Sequence, residues 1–384
     1  MLTLDDAPGE AAFRAEVRRW VAALPGDLRG ASRYEDLLRV DRLLGQAGLL
    51  GICWPSEYGG RGAPPSHETV LTEELGEAGI NRAEAPSHQG VNNLAPALIA
   101  HGDAAQKTRH LPRILGVAEL WCQGFSEPEA GSDLANVRTT ATLEGDGYVV
   151  RGSKIWTSGA ERADWMYALV RTGPVQERHR SLGFLLIPMD SKGIDIRPIR
   201  QITGESEFSE VFLDDVRVPA DGLVGGNRDG WRVALTVLNS ERLSGRFRYS
   251  KFKAELARLV SDVCASKVGG GESFERTIGR LAAEIEGMGS IALRVDSDRA
   301  AERVGDGLAS INKLWWPQAH QNLCEAALAL CTEWRVDSSY WYRTWLAARA
   351  ESIFGGTAQI QRNIIAERHL GMPRLSQQPF APDN

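Results

Sequence analysis

Apolar residues recur every three or four positions early in the chain: Phe13, Val17, Trp20 and Val21, then Leu37, Leu38, Val40, Leu43 and Leu44. That period stacks side chains on one face of an α-helix, so amphipathic helices are expected across 10–50. "WPSEYGGRGAPPS" (54–66) breaks the pattern, and "SHETVLTEELGEAGI" restarts it with Ser66 as the expected N-cap. Near residue 119 the period shortens to that of strands. "TTATLEGDGYVVRGSKIWTSGA" carries a Gly-Asp-Gly turn between alternating segments, a hairpin signal, and "WMYALVRT", "GFLLIPM", "IDIRPI" and "EVFLDDVRVP" read as further strands. From "GWRVALTVLNSERL" onward helical spacing returns, interrupted by the Gly-rich "KVGGGESF" (267–274). The expected layout is an α-helical segment (1–118), a β domain (119–224) and a C-terminal helical bundle (225–384), an α+β multidomain class.

Length and composition agree with this layout. A chain of 384 residues that is 43% hydrophobic has the material for two or three domains. The acidic start "MLTLDDAPGE" lacks the basic region of a signal peptide, and no apolar run reaches the roughly 18 residues of a membrane span, so no span and a cytoplasmic location are expected. Cys53, Cys122, Cys264, Cys324 and Cys331 form no CxxC pair and sit in apolar stretches, which favours reduced core thiols over disulfides or a metal site. A net charge of −6 argues against nonspecific nucleic-acid binding, although a local basic pocket stays open.

Two stretches of the β region have chemistry beyond packing. "WCQGFSEPEAGSDLA" (121–135) is rich in small residues and offers the Ser126 and Ser132 hydroxyls, a composition suited either to a loop whose amides face a ligand or to an ordinary turn. "GSKIWTSGAERADW" sets Trp156 beside Thr157 and Ser158; a flat ring next to small hydroxyls suits a planar cofactor, but equally a packed strand end. A third stretch, "IFGGTAQIQRN", pairs Gly355 and Gly356 before an expected helix start, a turn or an anion cradle.

Taken in order, "WPSEYGG", "SEPEAGSD", "GSKIWTSGAERAD", "EVFLDDVRVP", "GWRVAL" and "GTAQIQRNIIAERHLG" resemble the acyl-CoA dehydrogenase family of flavoproteins from about residue 10 to 374. The resemblance implies an all-α N-terminal domain, a β-barrel-like middle domain and a C-terminal four-helix bundle, with FAD at their junction and at a neighbouring subunit. It implies that Phe125, Ser126 and Ser132 touch the flavin or the pantetheine arm and that Trp156 and Ser158 flank the flavin ring. It also implies that Gly356, Thr357, Ala358 and Gln359 contact FAD and that Asn239 and Arg242 meet the CoA portion. The reaction so implied takes a proton from the α-carbon of an acyl-CoA thioester and delivers the β-hydride to flavin N5, so the reactants must be dry and aligned.

Many family members carry the base as the glutamate of a Tyr-Glu-Gly-Thr stretch, where this chain has Gly355. Some branches, similar to bacterial steroid and branched acyl-CoA dehydrogenases, place it on the first long helix of the bundle, and Glu241 of "LNSERL" matches that position. The periodicity agrees, because Trp231, Ala234, Val237 and Leu238 trace an apolar face that Glu241 continues. A structural partner of Arg242 or Arg246 is the competing role for Glu241. Gly355 is expected to keep a backbone N–H for the thioester carbonyl while leaving room for Glu241. The family's Arg-x-x-Phe-Gly is missing from "KVGGGESF", and its Leu-Gly-Gly turn is replaced by "LALCTEWRVDSS". The leading expectation is a working dehydrogenase in a homo- or hetero-oligomer, with an electron-transfer flavoprotein as one possible acceptor. The alternatives are a flavin-poor partner subunit, a flavin-dependent oxygenase, and a dehydrogenase of carrier-protein-bound acyl groups. The lone His88 and His101 lack metal-ligand spacing and are assigned packing or surface roles.

Overall fold

The structure, a computed structural model, describes residues 8–265, 271–300, 306–335 and 337–373. Five helices open the chain: α1 (Pro8–Ala22), α2 (Tyr34–Gln46), α3 (Pro65–Glu77), α4 (Ala95–His101) and α5 (Ala104–Leu115). The expected stripes are the buried ones, with Phe13 and Val17 of α1 and Leu37, Val40 and Leu44 of α2 in the core. Ser66 does not cap α3. The helix begins one residue earlier, at Pro65, whose fixed φ and missing N–H suit a first helical position. A π-helical turn, Gln89–Leu94, runs directly into α4.

Seven strands follow: β1 (Trp121–Gly124), β2 (Thr140–Glu144), β3 (Gly147–Ser158), β4 (Trp165–Arg171), β5 (Leu182–Pro188), β6 (Ile194–Ile199) and β7 (Phe208–Pro219). β2 and β3 form the expected hairpin, turning at Gly145 with a φ of +67°. β4 takes β1 in parallel and β5 antiparallel, while Arg171 at its end pairs with Thr140, and β3, β7 and β6 complete a curled sheet. β1 went unseen in the sequence because "WCQG" is too short to alternate visibly. β4 is buried on both faces. Tyr167 and Leu169 join the core shared with the N-terminal helices, whereas Met166, Ala168 and Val170 face a second core inside the curl.

The C-terminal part comprises α6 (Gly230–Arg242), α7 (Gly245–Ala265), α8 (Glu272–Ala300), α9 (Asp306–Trp334), α10 (Ser339–Ala348) and α11 (Ala358–Ile364). α7, α8 and α9 pack on one another around Phe252, Ile285, Met288, Trp316 and Leu323. α6 stands apart from that core. Its buried residues Val233, Ala234 and Val237 belong to the core that the N-terminal helices share with the sheet, and Trp231 and Leu238 flank it. Residues 266–270 of the Gly-rich connection lie outside the described residues. The thiols are all free, but Cys264 is exposed and Cys53 half-buried, so the core assignment holds only for Cys122, Cys324 and Cys331. No helix among the described residues is long and apolar enough to cross a membrane, and no group of three metal-ligating side chains is gathered there.

Candidate active site

The last turn of α6 comes against the Gly355-Gly356 turn. Both glycines have positive φ, +63° and +88°, a conformation that costs side-chain-bearing residues and that glycine adopts freely. A Cβ on Gly355 would sit 3.5 Å from Glu241 Oε1 and 3.3 Å from Lys313 Cε. The two positions singled out from sequence therefore face one another. No acceptor within the described residues takes the Gly355 N–H. Behind it, the Gln361 side-chain amide donates to the Gly355 carbonyl at 3.1 Å, and the Thr357 hydroxyl caps α11 by accepting from the Ile360 N–H at 3.2 Å.

Glu241 is half-buried, and desolvation pushes its carboxyl above the ordinary value of 4.5 while Arg242, Lys313 and Arg248 pull against it. Nearby, Arg242 donates to Asn239 Oδ1 at 2.9 Å, and Arg246 donates to Asp296 Oδ1 at 2.9 Å. Lys313 was not foreseen. It is buried, donates to the Glu351 carbonyl at 2.7 Å, and lies over the rings of Trp316 and Phe354 at 4.6 and 5.7 Å. Burial first, then Arg248, lowers its ammonium to about 8. "INKLWWP" alone does not distinguish this lysine from a surface one; the signal is its place off the exposed stripe of α9 at Gln318, Glu325 and Thr332.

Across the site, Phe125 is buried against Tyr167 and Phe184 at 5.8 and 6.0 Å. The loop after it is pinned from below. Glu127 accepts from the Arg138 and Thr139 amides at 2.6 and 3.0 Å and pairs with the fully buried Lys154 at 2.7 Å, which also donates to the Leu169 carbonyl. Sequence reading picked out the neighbours of Glu127 and Lys154 but not this pair, which joins residues 27 apart. The Ser126 carbonyl accepts from the Ile155 N–H at 2.9 Å, and Ser132 is exposed at the loop tip. Trp156 is 56% exposed with a φ of +60°, at a β-bulge between Lys154 and Thr157. It is not core: a large ring is held out to solvent on a strained backbone. Beside it the Thr157 hydroxyl is buried with no partner, and Ser158 is half-buried. A flat ring face, an orphan hydroxyl and a glycine turn without side chains are features that fit a planar cofactor.

Sequence-family comparison identifies the class of protein that this fold and site define. The acyl-CoA dehydrogenase N-terminal, middle and C-terminal domain models match residues 8–117, 122–216 and 228–370. The chain belongs to the acyl-CoA dehydrogenase family, a family of oxidoreductases. It is similar to the acyl-CoA dehydrogenase IpdE1 of Mycobacterium tuberculosis, at 41% identity over 94% of this chain and 97% of that one. Among solved structures it is similar to the Tcur3481-Tcur3483 steroid ACAD, with a TM-score of 0.85 and 27% identity over 97% of this chain and 100% of that one. It is also similar to the ChsE4-ChsE5 complex from Mycobacterium tuberculosis, with a TM-score of 0.84 and 28% identity over 97% and 100%.

Proposed function

We propose that the chain catalyses the FAD-dependent α,β-desaturation of an acyl-CoA thioester, with Glu241 as the base that removes the α-proton. The observation that carries the reading is the opposition of Glu241 and Gly355: the carboxylate reaches the space that a side chain at 355 would take. Partial desolvation makes Glu241 a stronger base than a solvated carboxylate, which suits a weakly acidic α-C–H. The free Gly355 N–H serves as a donor to the thioester oxygen and stabilises the negative charge that builds there as the proton leaves. Arg242 and Asn239, already bonded to one another, hold the CoA arm. When bound, FAD supplies the hydride acceptor. Trp156 and Ser158, the loop residues Phe125, Ser126 and Ser132, and the turn residues Gly356, Thr357, Ala358 and Gln359 would hold it. Replacing Glu241 by Gln is expected to lower turnover at least about 10³-fold while acyl-CoA affinity stays within about threefold. Wild-type activity in that variant ends the assignment.

We further propose that the active form pairs this chain with a second, unlike subunit. Two observations support it: the sequence lacks the Arg-x-x-Phe-Gly that reaches a neighbour's FAD in related enzymes, and the similar solved structures include two-component complexes. The chain purified alone is expected to carry well under one FAD per protomer and to approach a fixed higher ratio when co-purified with its partner. A full complement of flavin in a homomeric particle overturns this.

A further inference from the structure

The buried charges behind the Gly355 turn mostly meet in pairs. Lys251 lies 2.7 Å from Glu84, and His320 lies 3.0 Å from Glu255. The Glu351 carboxylate is held by His320 at 2.8 Å and is 3.9 Å from Arg248. Lys313 is the exception. It is only 6% exposed, yet among the described residues no carboxylate forms an ion pair with its ammonium. Its place is fixed by uncharged groups: the Glu351 carbonyl at 2.7 Å and the faces of Trp316 and Phe354. That arrangement sets the Lys313 Cε 3.3 Å from the point where a Gly355 side chain would begin, and Glu241 Oε1 comes within 3.5 Å of the same point. Burying an ammonium without a carboxylate is costly in desolvation, so the charge calls for a reason that packing does not give.

We infer that Lys313 is a fixed counter-charge for the anion that forms on the thioester oxygen when Glu241 takes the α-proton; the inference rests on the dehydrogenase reading of Glu241. In that step the α-C–H bond breaks, an O–H bond forms on Glu241, and the electron pair left behind spreads through the enolate to the oxygen. The net charge of the site is unchanged, but the negative charge moves from the carboxylate toward the Gly355 N–H. A cation that favours the second location over the first lowers the barrier. Lys313 is placed on that side. Its Cε adjoins Gly355 and its ammonium bonds the carbonyl four residues earlier, whereas it forms no ion pair with Glu241. Once Glu241 is protonated, the developing oxyanion takes over as the negative charge facing this ammonium. A purely structural role does not explain the charge, because a neutral donor satisfies a carbonyl equally well and is cheaper to bury.

The test is exchange of the α-protons of two thioesters with D2O, followed by NMR, in the full-length chain with the flavin and partner it co-purifies with. The probes, 3-thiaoctanoyl-CoA and (cyclohexylthio)acetyl-CoA, carry sulfur at the β-position and have no hydride to give, so proton removal is read apart from oxidation. Lys313→Gln keeps a donor for the Glu351 carbonyl, and Lys313→Met keeps the chain length. Each is expected to slow exchange at least about tenfold. Lys313→Arg, which keeps the charge, is expected to stay within about threefold of the unaltered chain. Calorimetric affinity for the probes is expected to change less than about threefold in all three variants, because the charge acts on the enolate and not on the bound ground state. Two neutral substitutions guard against one misfolding. Unchanged exchange in both neutral variants, or an equal loss in the arginine variant, overturns the inference. Glu241→Gln separates the two readings. Exchange that persists in it sinks the base assignment, and exchange lost in it but unchanged in both neutral Lys313 variants sinks the counter-charge alone.

Discussion

Glu241, Gly355 and Lys313 meet at one point, and each responds differently to change. With the Glu241 carboxyl above 4.5, the rise of kcat/KM with pH is expected to fall above that value, since the base must be ionised in the free enzyme. Lys313 pulls the same carboxyl down, so Lys313→Met is expected to move the ascending limb to higher pH; a limb that stays in place removes Lys313 from the electrostatics of the base. Gly355→Glu combines a left-handed backbone with a crowded Cβ. A stability loss of about 1–3 kcal/mol is expected in denaturant titrations, along with loss of activity, and a gain of activity contradicts the geometry. Sequence reading reached Glu241 through helical spacing and a family motif, and Gly355 through the missing carboxylate. It could not reach Lys313, because its importance comes from what folding sets opposite it, the Gly355 turn.

Between α7, α9 and the turn before Gly355 runs a buried charge network. His320 lies 2.8 Å from Glu351 and 3.0 Å from Glu255, with Phe252 stacked on its ring, and the Glu351 carbonyl in turn holds Lys313. Burial works against the charge on His320, but Glu255 and Glu351 outweigh it and raise the imidazole well above 6.5; burial likewise raises Glu255, but His320 and Lys251 bring it to about 2. A histidine raised in the fold contributes stability below its unfolded value, and a carboxylate lowered in the fold contributes above its own. Both contributions are complete between pH 4.5 and 6.5; the Glu255 share is lost as pH falls toward about 2, and the His320 share as pH rises through its elevated value. His320→Leu strands two carboxylates and is expected to cost about 3–5 kcal/mol by urea unfolding, with the deficit largest in that window. A deficit independent of pH contradicts the ionic account. At this scale the helices and strands were legible because amphipathic faces announce themselves. The network was not, since its members come from segments far apart in the chain and each looks like a surface charge in isolation.

The order of helical, β and helical segments could be read from changes in apolar period alone. The position of α6 could not, because its stripe of Val233, Ala234 and Val237 says only that one face is buried and not against what. In the molecule that face joins a core built by α1 to α5 and by Tyr167, Leu169 and Phe184 of the sheet. Three matched sequence regions therefore own one hydrophobic interior between them, and the helix that carries Glu241 is fixed by residues from the other two. Recombination among relatives is constrained by this joint ownership. A segment exchanged at the apparent boundaries near residues 118 and 225 would bring half of an interdigitated surface, so a functional chimera has to inherit α6 together with the N-terminal helices and β4–β5 edge it was shaped against.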